Sequence, residues 1–150
     1  MLYECKSDYV PLKKELKHLE SFINLNKMQI EGRGNVSYNF DDVDSSFQIA
    51  PLILVVFVEN AFKHAQTAQS DGIQIEMRLK VNQYGLLNFV CSNTHSVDHK
   101  AVDLNSGGIG LQNVKKRLNH IYPKLHRLSL IEKEKSYEVD LELQLNKILA

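Results

Sequence analysis

Between Pro11 and about Ile30 the apolar residues Leu12, Leu16, Leu19, Ile23 and Ile30 return at helical spacing, with Lys and Glu filling the other face. That periodicity predicts an amphipathic helix, and Pro11 suits its first position, where a missing N–H costs nothing. Gly32 and Gly34 end it. Val36, Tyr38 and Phe40 then alternate with Asn and Ser as a half-buried strand does, and Asp41 to Ser46 reads as an acidic, polar turn. From Ile49 to about Gln66 the chain is strongly apolar at first and holds no Gly or Pro beyond Pro51, so its length predicts a buried helix despite its β-branched residues.

Asp71-Gly72 marks a turn, after which Ile73, Ile75, Met77 and Leu79 alternate with polar residues. Asn82-Gln83-Tyr84-Gly85 turns again, and Leu87, Phe89 and Cys91 continue in a second strand, so an antiparallel hairpin is expected. The stretch from Asn93 to Gly108 has almost no apolar periodicity and is long for a connection, which points to a functional or mobile loop. Ile109 to about Ile121 is helical again, with Leu111, Val114, Leu118 and Ile121 on one face and Tyr122-Pro123 as its stop. Arg127 to Ile131 and Tyr137 to Leu145 alternate around a turn from Lys133 to Ser136. Hairpins replace repeated crossovers in this order. The expected fold is therefore α+β, a two-layer sandwich with a mostly antiparallel sheet covered on one face by helices.

Length adds that 150 residues suit one domain with one core. Lys plus Arg and Asp plus Glu balance at 18 each, which removes the electrostatic case for nucleic-acid or anionic-membrane binding and makes any anion site a local one. Cys5 and Cys91 belong to no metal-ligand or CxxC spacing and read as reduced thiols in a cytosolic setting. No stretch approaches the roughly 20 apolar residues of a membrane span, and no signal-peptide core opens the chain.

Chemistry concentrates in two stretches. The first is Phe57-Val58-Glu59-Asn60-Ala61-Phe62-Lys63-His64-Ala65, on the C-terminal half of the second predicted helix. There Glu59 and Lys63 share one ridge and Asn60 and His64 the next, so polar groups cluster at one end of a buried element. The second is Gly107 to Leu118, where glycines open a helix and allow backbone N–H groups to approach an anion at the positive end of the helix dipole. It is neither a P-loop nor a Rossmann fingerprint. In combination the two stretches offer the parts of a nucleotide site. The Asn60 carboxamide can serve a magnesium ion that keeps its phosphate oxygens and waters, and Lys63 can act as a point charge on phosphate. Glu59 has two readings of equal standing on spacing alone: holding a water or a proton acceptor, or pairing with Lys63 one turn on.

Phe57 to Ala65 resembles the N box, and Gly108-Ile109-Gly110-Leu111-Gln112-Asn113-Val114 with Arg117-Leu118 resembles the G2 box, of LytS-type sensor histidine kinases in the GHKL ATP-binding superfamily. Val10 to Gln29 is similar to the helix that precedes the ATP-binding domain in that family, and Ile49 to Leu54 and Arg117 to Pro123 fit as well. The resemblance runs from about residue 8 to 145, in order and at the right spacing. It implies a Bergerat-type fold, with ATP and Mg²⁺ as cofactors. By it, Asn60 ligates the metal, Lys63 contacts phosphate, and His64 lies near the phosphates or ribose. Glu59 and Asn60 are the catalytic candidates, and Gly108, Gly110, Leu111 and Asn113 form the hinge between an ATP lid and its helix.

Asn93 falls where the family's G1 box has an adenine-binding Asp, and the Asp-x-Gly-x-Gly of that box reads Asn93-Thr94-His95-Ser96-Val97 here. A carboxamide oxygen still accepts the adenine amino proton, but as an uncharged and weaker acceptor. The family's phosphoacceptor motif is absent. His18, on the polar side of the first helix, is not followed by that pattern; His95 and His99 in the loop read as solvated, and His120 and His126 as surface residues. The resemblance thus implies a catalytic domain whose residues 1–30 include a linking helix from an upstream dimerisation and phosphoacceptor segment. It implies a homodimer when full-length, a response regulator as partner, and a cytoplasmic place in an inner- or cytoplasmic-membrane protein. No nucleic acid and no direct membrane contact are expected. Two rivals remain: a degenerate Bergerat domain serving as a nucleotide-sensing or interaction module without kinase activity, and a free-standing GHKL ATPase.

Overall fold

The computed structural model describes residues 8–44, 46–68, 72–94 and 109–148. In chain order the elements are β1 (Val10–Pro11), α1 (Leu12–Gln29), β2 (Gly34–Phe40), β3 (Phe47–Ile49), α2 (Leu54–Ala68), β4 (Ile73–Val81), β5 (Leu86–Thr94), α3 (Ile109–Ile121), β6 (His126–Glu132), β7 (Ser136–Gln144) and β8 (Asn146–Lys147).

The main sheet has the order β2-β4-β5-β7-β6. Only β2 and β4 are parallel, joined through α2, and every other neighbour pair is antiparallel. Period-two patterning sends one side of each strand inward. Register then aligns those inward residues in rows across β4, β5 and β7: Leu79, Phe89 and Leu141; Met77, Cys91 and Val139; Ile75, Asn93 and Tyr137. All of these are buried. The helices cover this face, with α2 lying on β4 and β5 and touching both α1 and α3. The α+β sandwich expected from the patterning is the fold observed.

Leu12, Leu16, Leu19 and Ile23 form the buried stripe of α1, and Leu111, Val114 and Leu118 that of α3. Pro11 stands just outside α1 as its N-cap residue, pairing in β1 instead of occupying the first helical position.

The largest difference from the sequence reading is at the second helix. The helix expected from Ile49 begins at Leu54, because Phe47–Ile49 is a strand between β1 and β8 in a small second sheet. Between strand and helix, Leu52 adopts a left-handed backbone with φ 62, which neither a strand nor a right-handed helix can continue. The connection is tied from two sides. The Ala50 N–H donates to the Tyr122 hydroxyl at 3.0 Å, and the Leu52 N–H donates to Glu15 Oε1 at 2.8 Å.

Candidate functional site

The cluster foreseen on the second helix lies on α2, around its midpoint. Val56, Asn60 and His64 stand four residues apart and form one ridge, each step advancing about 6 Å along the axis. At its N-terminal end this ridge meets the start of α3: a Cβ built on Gly110 would lie 3.8 Å from Val56 Cγ1. At its other end the His64 ring is 6.4 Å from the Tyr137 ring, inclined at 58°. Along this ridge Asn60 therefore falls between the position that meets the first turn of α3 and the position that meets the start of β7. Asn60 and His64 are half-buried, whereas Glu59 and Lys63, on the adjoining ridge, are exposed.

Beneath this end of α2, Asn93 and Tyr137 face each other across β5 and β7. Asn93 is 3 % exposed and donates from Nδ2 to the Thr94 carbonyl at 3.0 Å, a bond that does not use its acceptor oxygen. The Asn93 position, expected at the start of a loop, belongs to the last turn of pleat in β5, which is why its orientation is defined. Tyr137 is 4 % exposed, and its hydroxyl has no hydrogen-bond partner among the described residues. Burial, then the Glu132 carboxylate and Cys91, push its phenol up to about 12, so it stays a neutral donor.

Tyr137 was not among the residues singled out from sequence. Its inward direction followed from alternation, but its pairing with Asn93 depends on sheet order. A buried hydroxyl left without a partner costs free energy, so the Tyr137 hydroxyl calls for a water, a further side chain or a ligand.

Of the glycine-rich stretch, Gly108 lies outside the described residues. Gly110, Leu111 and Asn113 lie in the first turns of α3. Gly110 is exposed and has an ordinary helical backbone; a Cβ there would make normal van der Waals contact, so the position owes its place to proximity to α2 more than to conformational freedom. Leu111 is 2 % exposed and belongs to the core, and Asn113 is exposed.

Cys91 is a buried core thiol, its Sγ 4.0 Å from the Phe57 carbonyl. Cys5, His95 and His99 lie outside the described residues. His18 and His120 are exposed, while His126, expected at the surface, is half-buried and places Nδ1 2.8 Å from the Tyr122 carbonyl, a structural bond. Among the described residues no group of His, Cys, Asp or Glu forms a closed metal site, and no helix is long and apolar enough to cross a membrane.

No family model matches the chain. It is 28 % identical over 130 residues to the sensor protein LytS of Staphylococcus saprophyticus, covering 81 % of this chain. It is 25 % identical over 129 residues to the sensor histidine kinase/phosphatase LytS of Staphylococcus aureus, strain MRSA252. The chain spans about a fifth of the length of these curated relatives, 22 % in each case. Among solved structures, the histidine kinase domain of the blue-light activated kinase from Erythrobacter litoralis EL346 superposes with TM-score 0.66 at 17 % identity, covering 91 % of this chain and 62 % of that one. The catalytic domain of histidine kinase ThkA gives TM-score 0.59 at 11 % identity, covering 91 % of this chain and 93 % of that one. Full-length ShkA in complex with AMPPNP gives 0.63 at 14 % identity, covering 95 % of this chain and 32 % of that one. In sequence the chain is similar to the LytS sensor histidine kinases, and its α+β sandwich is the fold of the histidine kinase catalytic domain.

Proposed function

We propose that the chain is the ATP-binding catalytic domain of a two-component sensor histidine kinase. It would deliver the γ-phosphoryl of Mg-ATP to a histidine on an upstream segment, with α1, within residues 1–30, as the linking helix. The observation that carries this reading is the convergence of Asn60 and His64 on α2, the first turn of α3, and the buried Asn93–Tyr137 pair.

The residues fit the cofactor in kind. Asn93 offers a carboxamide acceptor and Tyr137 a buried donor without a partner among the described residues, the complement of a base edge that presents an amino group beside a ring nitrogen. Asn60 supplies one hard oxygen, which suits a magnesium ion held mostly by phosphate and water. Lys63 supplies charge for phosphate, His64 flanks the phosphates or ribose, and Glu59 orients the acceptor. Gly108, Gly110, Leu111 and Asn113 join the lid to α3. Bound magnesium contributes charge neutralisation, and these residues contribute position, the two terms on which phosphoryl transfer mainly rests. That the fold neighbour ShkA is described with AMPPNP supports the same ligand class here. In the intact protein this reading places the domain in the cytoplasm, in a homodimer that passes its phosphoryl group to a response regulator.

Calorimetric titration of Mg-ATP and ADP into the purified domain, with Asn60→Ala alongside, tests the reading. Magnesium-dependent binding that the substitution abolishes or sharply weakens is the expected result. No binding by folded wild-type protein at millimolar nucleotide favours the second reading, an interaction module without kinase activity. The observation behind that reading is the uncharged Asn93, already bonded to its neighbour's carbonyl.

A further inference from the structure

The short connection ahead of α2 is held by two side chains, one on α1 and one just beyond α3, and the first is a carboxylate. Glu15 lies on α1 at the edge of the apolar stripe, three residues after Leu12 and four before Leu19, and it is only 6 % exposed. Its Oε1 accepts the Leu52 N–H at 2.8 Å. Leu52 is the one that needs holding: its φ is 62, in the region L residues avoid, and its side chain is 62 % exposed, so core packing does not keep it there. Backbone held in a sparsely populated conformation persists only where its surroundings over-determine it, and such positions concentrate at functional sites.

The neighbouring residues sharpen the point. Pro51 has no N–H to give, and the Ala50 N–H is taken by the Tyr122 hydroxyl just beyond α3. Both backbone donors of Ala50-Pro51-Leu52 are thus satisfied by side chains, one from α1 and one from the end of α3. Two residues after Leu52, α2 begins, and it runs as one rigid rod to Asn60, Lys63 and His64.

We propose that Glu15 is a positioning residue for the nucleotide site: its carboxylate holds Leu52 left-handed, sets the direction in which α2 leaves the turn, and so couples the placement of α1 to that of Asn60. This rests on the nucleotide-binding reading of α2. A displacement of α1 that withdraws Glu15 leaves the Leu52 N–H without its partner and frees the turn to relax. The carboxylate touches no ligand; it acts through the backbone.

The test compares Glu15→Ala, Glu15→Gln, Leu52→Gly and the double variant Glu15→Ala/Leu52→Gly, by hydrogen exchange without nucleotide and by Mg-ATP titration. Glu15→Ala is expected to speed exchange in the first turn of α2 while leaving β4, β5 and β7 unchanged, and to weaken Mg-ATP binding by about tenfold, the scale of one lost charged hydrogen bond. Glu15→Gln, which keeps an acceptor, should fall between it and wild type. Glycine adopts the left-handed turn without help, so Leu52→Gly should bind like wild type and the double variant should recover most of the lost affinity. Uniformly faster exchange across the sheet, unchanged Mg-ATP affinity in Glu15→Ala, or no recovery in the double variant overturns the proposal. If Glu15→Ala does not fold, Glu15→Gln with and without Leu52→Gly decides the same question. If wild-type protein binds no nucleotide, the functional reading fails separately, and the exchange pattern alone decides whether Glu15 sets the entry of α2.

Discussion

Asn93 and Tyr137 are directly paired across β5 and β7, both buried on the helix-covered face of the sheet. Residues so paired have Cβ atoms about 5 Å apart, so a carboxamide and a phenol share one small volume under the C-terminal half of α2. The carboxamide is engaged with the Thr94 carbonyl, and the phenol hydroxyl has no partner among the described residues. Among the described residues the phenol donor and the carboxamide oxygen are both left for a further partner.

Tyr137→Phe follows directly. Among the described residues the hydroxyl makes no hydrogen bond, so removing it should leave stability unchanged or raise it by up to about 1 kcal/mol. Nucleotide affinity should fall several-fold, because the lost group is one the ligand would satisfy. Thermal denaturation and calorimetry on the same preparation check both; a loss of stability with unchanged affinity would assign the hydroxyl to the fold alone.

Asn93→Asp tests the weakened acceptor. A carboxylate accepts more strongly than a carboxamide, so affinity for adenine nucleotides should rise by roughly fivefold. The same change replaces the Nδ2–H donated to Thr94 by an oxygen facing an oxygen, at a residue 3 % exposed. The ligand-free protein should lose about 1–3 kcal/mol. Urea unfolding with and without Mg-ATP separates the two effects, since ligand should narrow the gap between variant and wild type.

How far the site could be read beforehand follows from what is local. The stripes of α1 and α3 and the alternation of β4 and β5 lie within single stretches, and Asn60, Lys63 and His64 share a helix segment whose type is set by length. The start of α2 did not follow, because Phe47 to Ile53 is apolar in a way that suits a buried strand or a buried helix equally. What makes Phe47–Ile49 a strand is pairing with Val10–Pro11 and Asn146–Lys147, far away along the chain. Glu15 flanks the apolar stripe of α1 beside Leu12 and Leu19, but its role was not legible because its partner is a backbone N–H, which carries no sequence signal. Tyr137 needed the strand order β4-β5-β7, a nonlocal fact.

The alkaline limb of stability should carry the signature of Cys91. Burial pushes its thiol from 9.0 up to about 12. Below pH 9 both native and unfolded chains keep the proton and the native state has its full stability. As pH rises from 9 towards 12, the unfolded chain releases the proton while the native chain retains it, so stability falls. Tyr137, raised from 10.0 to about 12, joins about one pH unit later. Unfolding free energy measured from pH 8 to 10 should therefore decline less steeply in Cys91→Ala, by a difference in slope that grows to nearly one proton at the upper end.

Gly85→Ala should be far more damaging than Gly32→Ala, although both glycines are left-handed, with φ 84 and 82. At Gly32 an added Cβ meets nothing within 4 Å, so only the backbone conformation is penalised, by about 1–2 kcal/mol. At Gly85 the Cβ would come 2.7 Å from Phe47 Cε1 and 3.2 Å from the Leu145 carbonyl. Phe47 is the 3 %-exposed start of β3, and Leu145 donates its N–H to the Gly85 carbonyl at 2.8 Å, so neither neighbour can withdraw cheaply. Overpacking adds about 1–3 kcal/mol to the same conformational cost. The two urea midpoints, read with equal m-values, should thus separate clearly; coincident midpoints would mean that the small sheet yields at Phe47 and is not fastened to the β4–β5 turn.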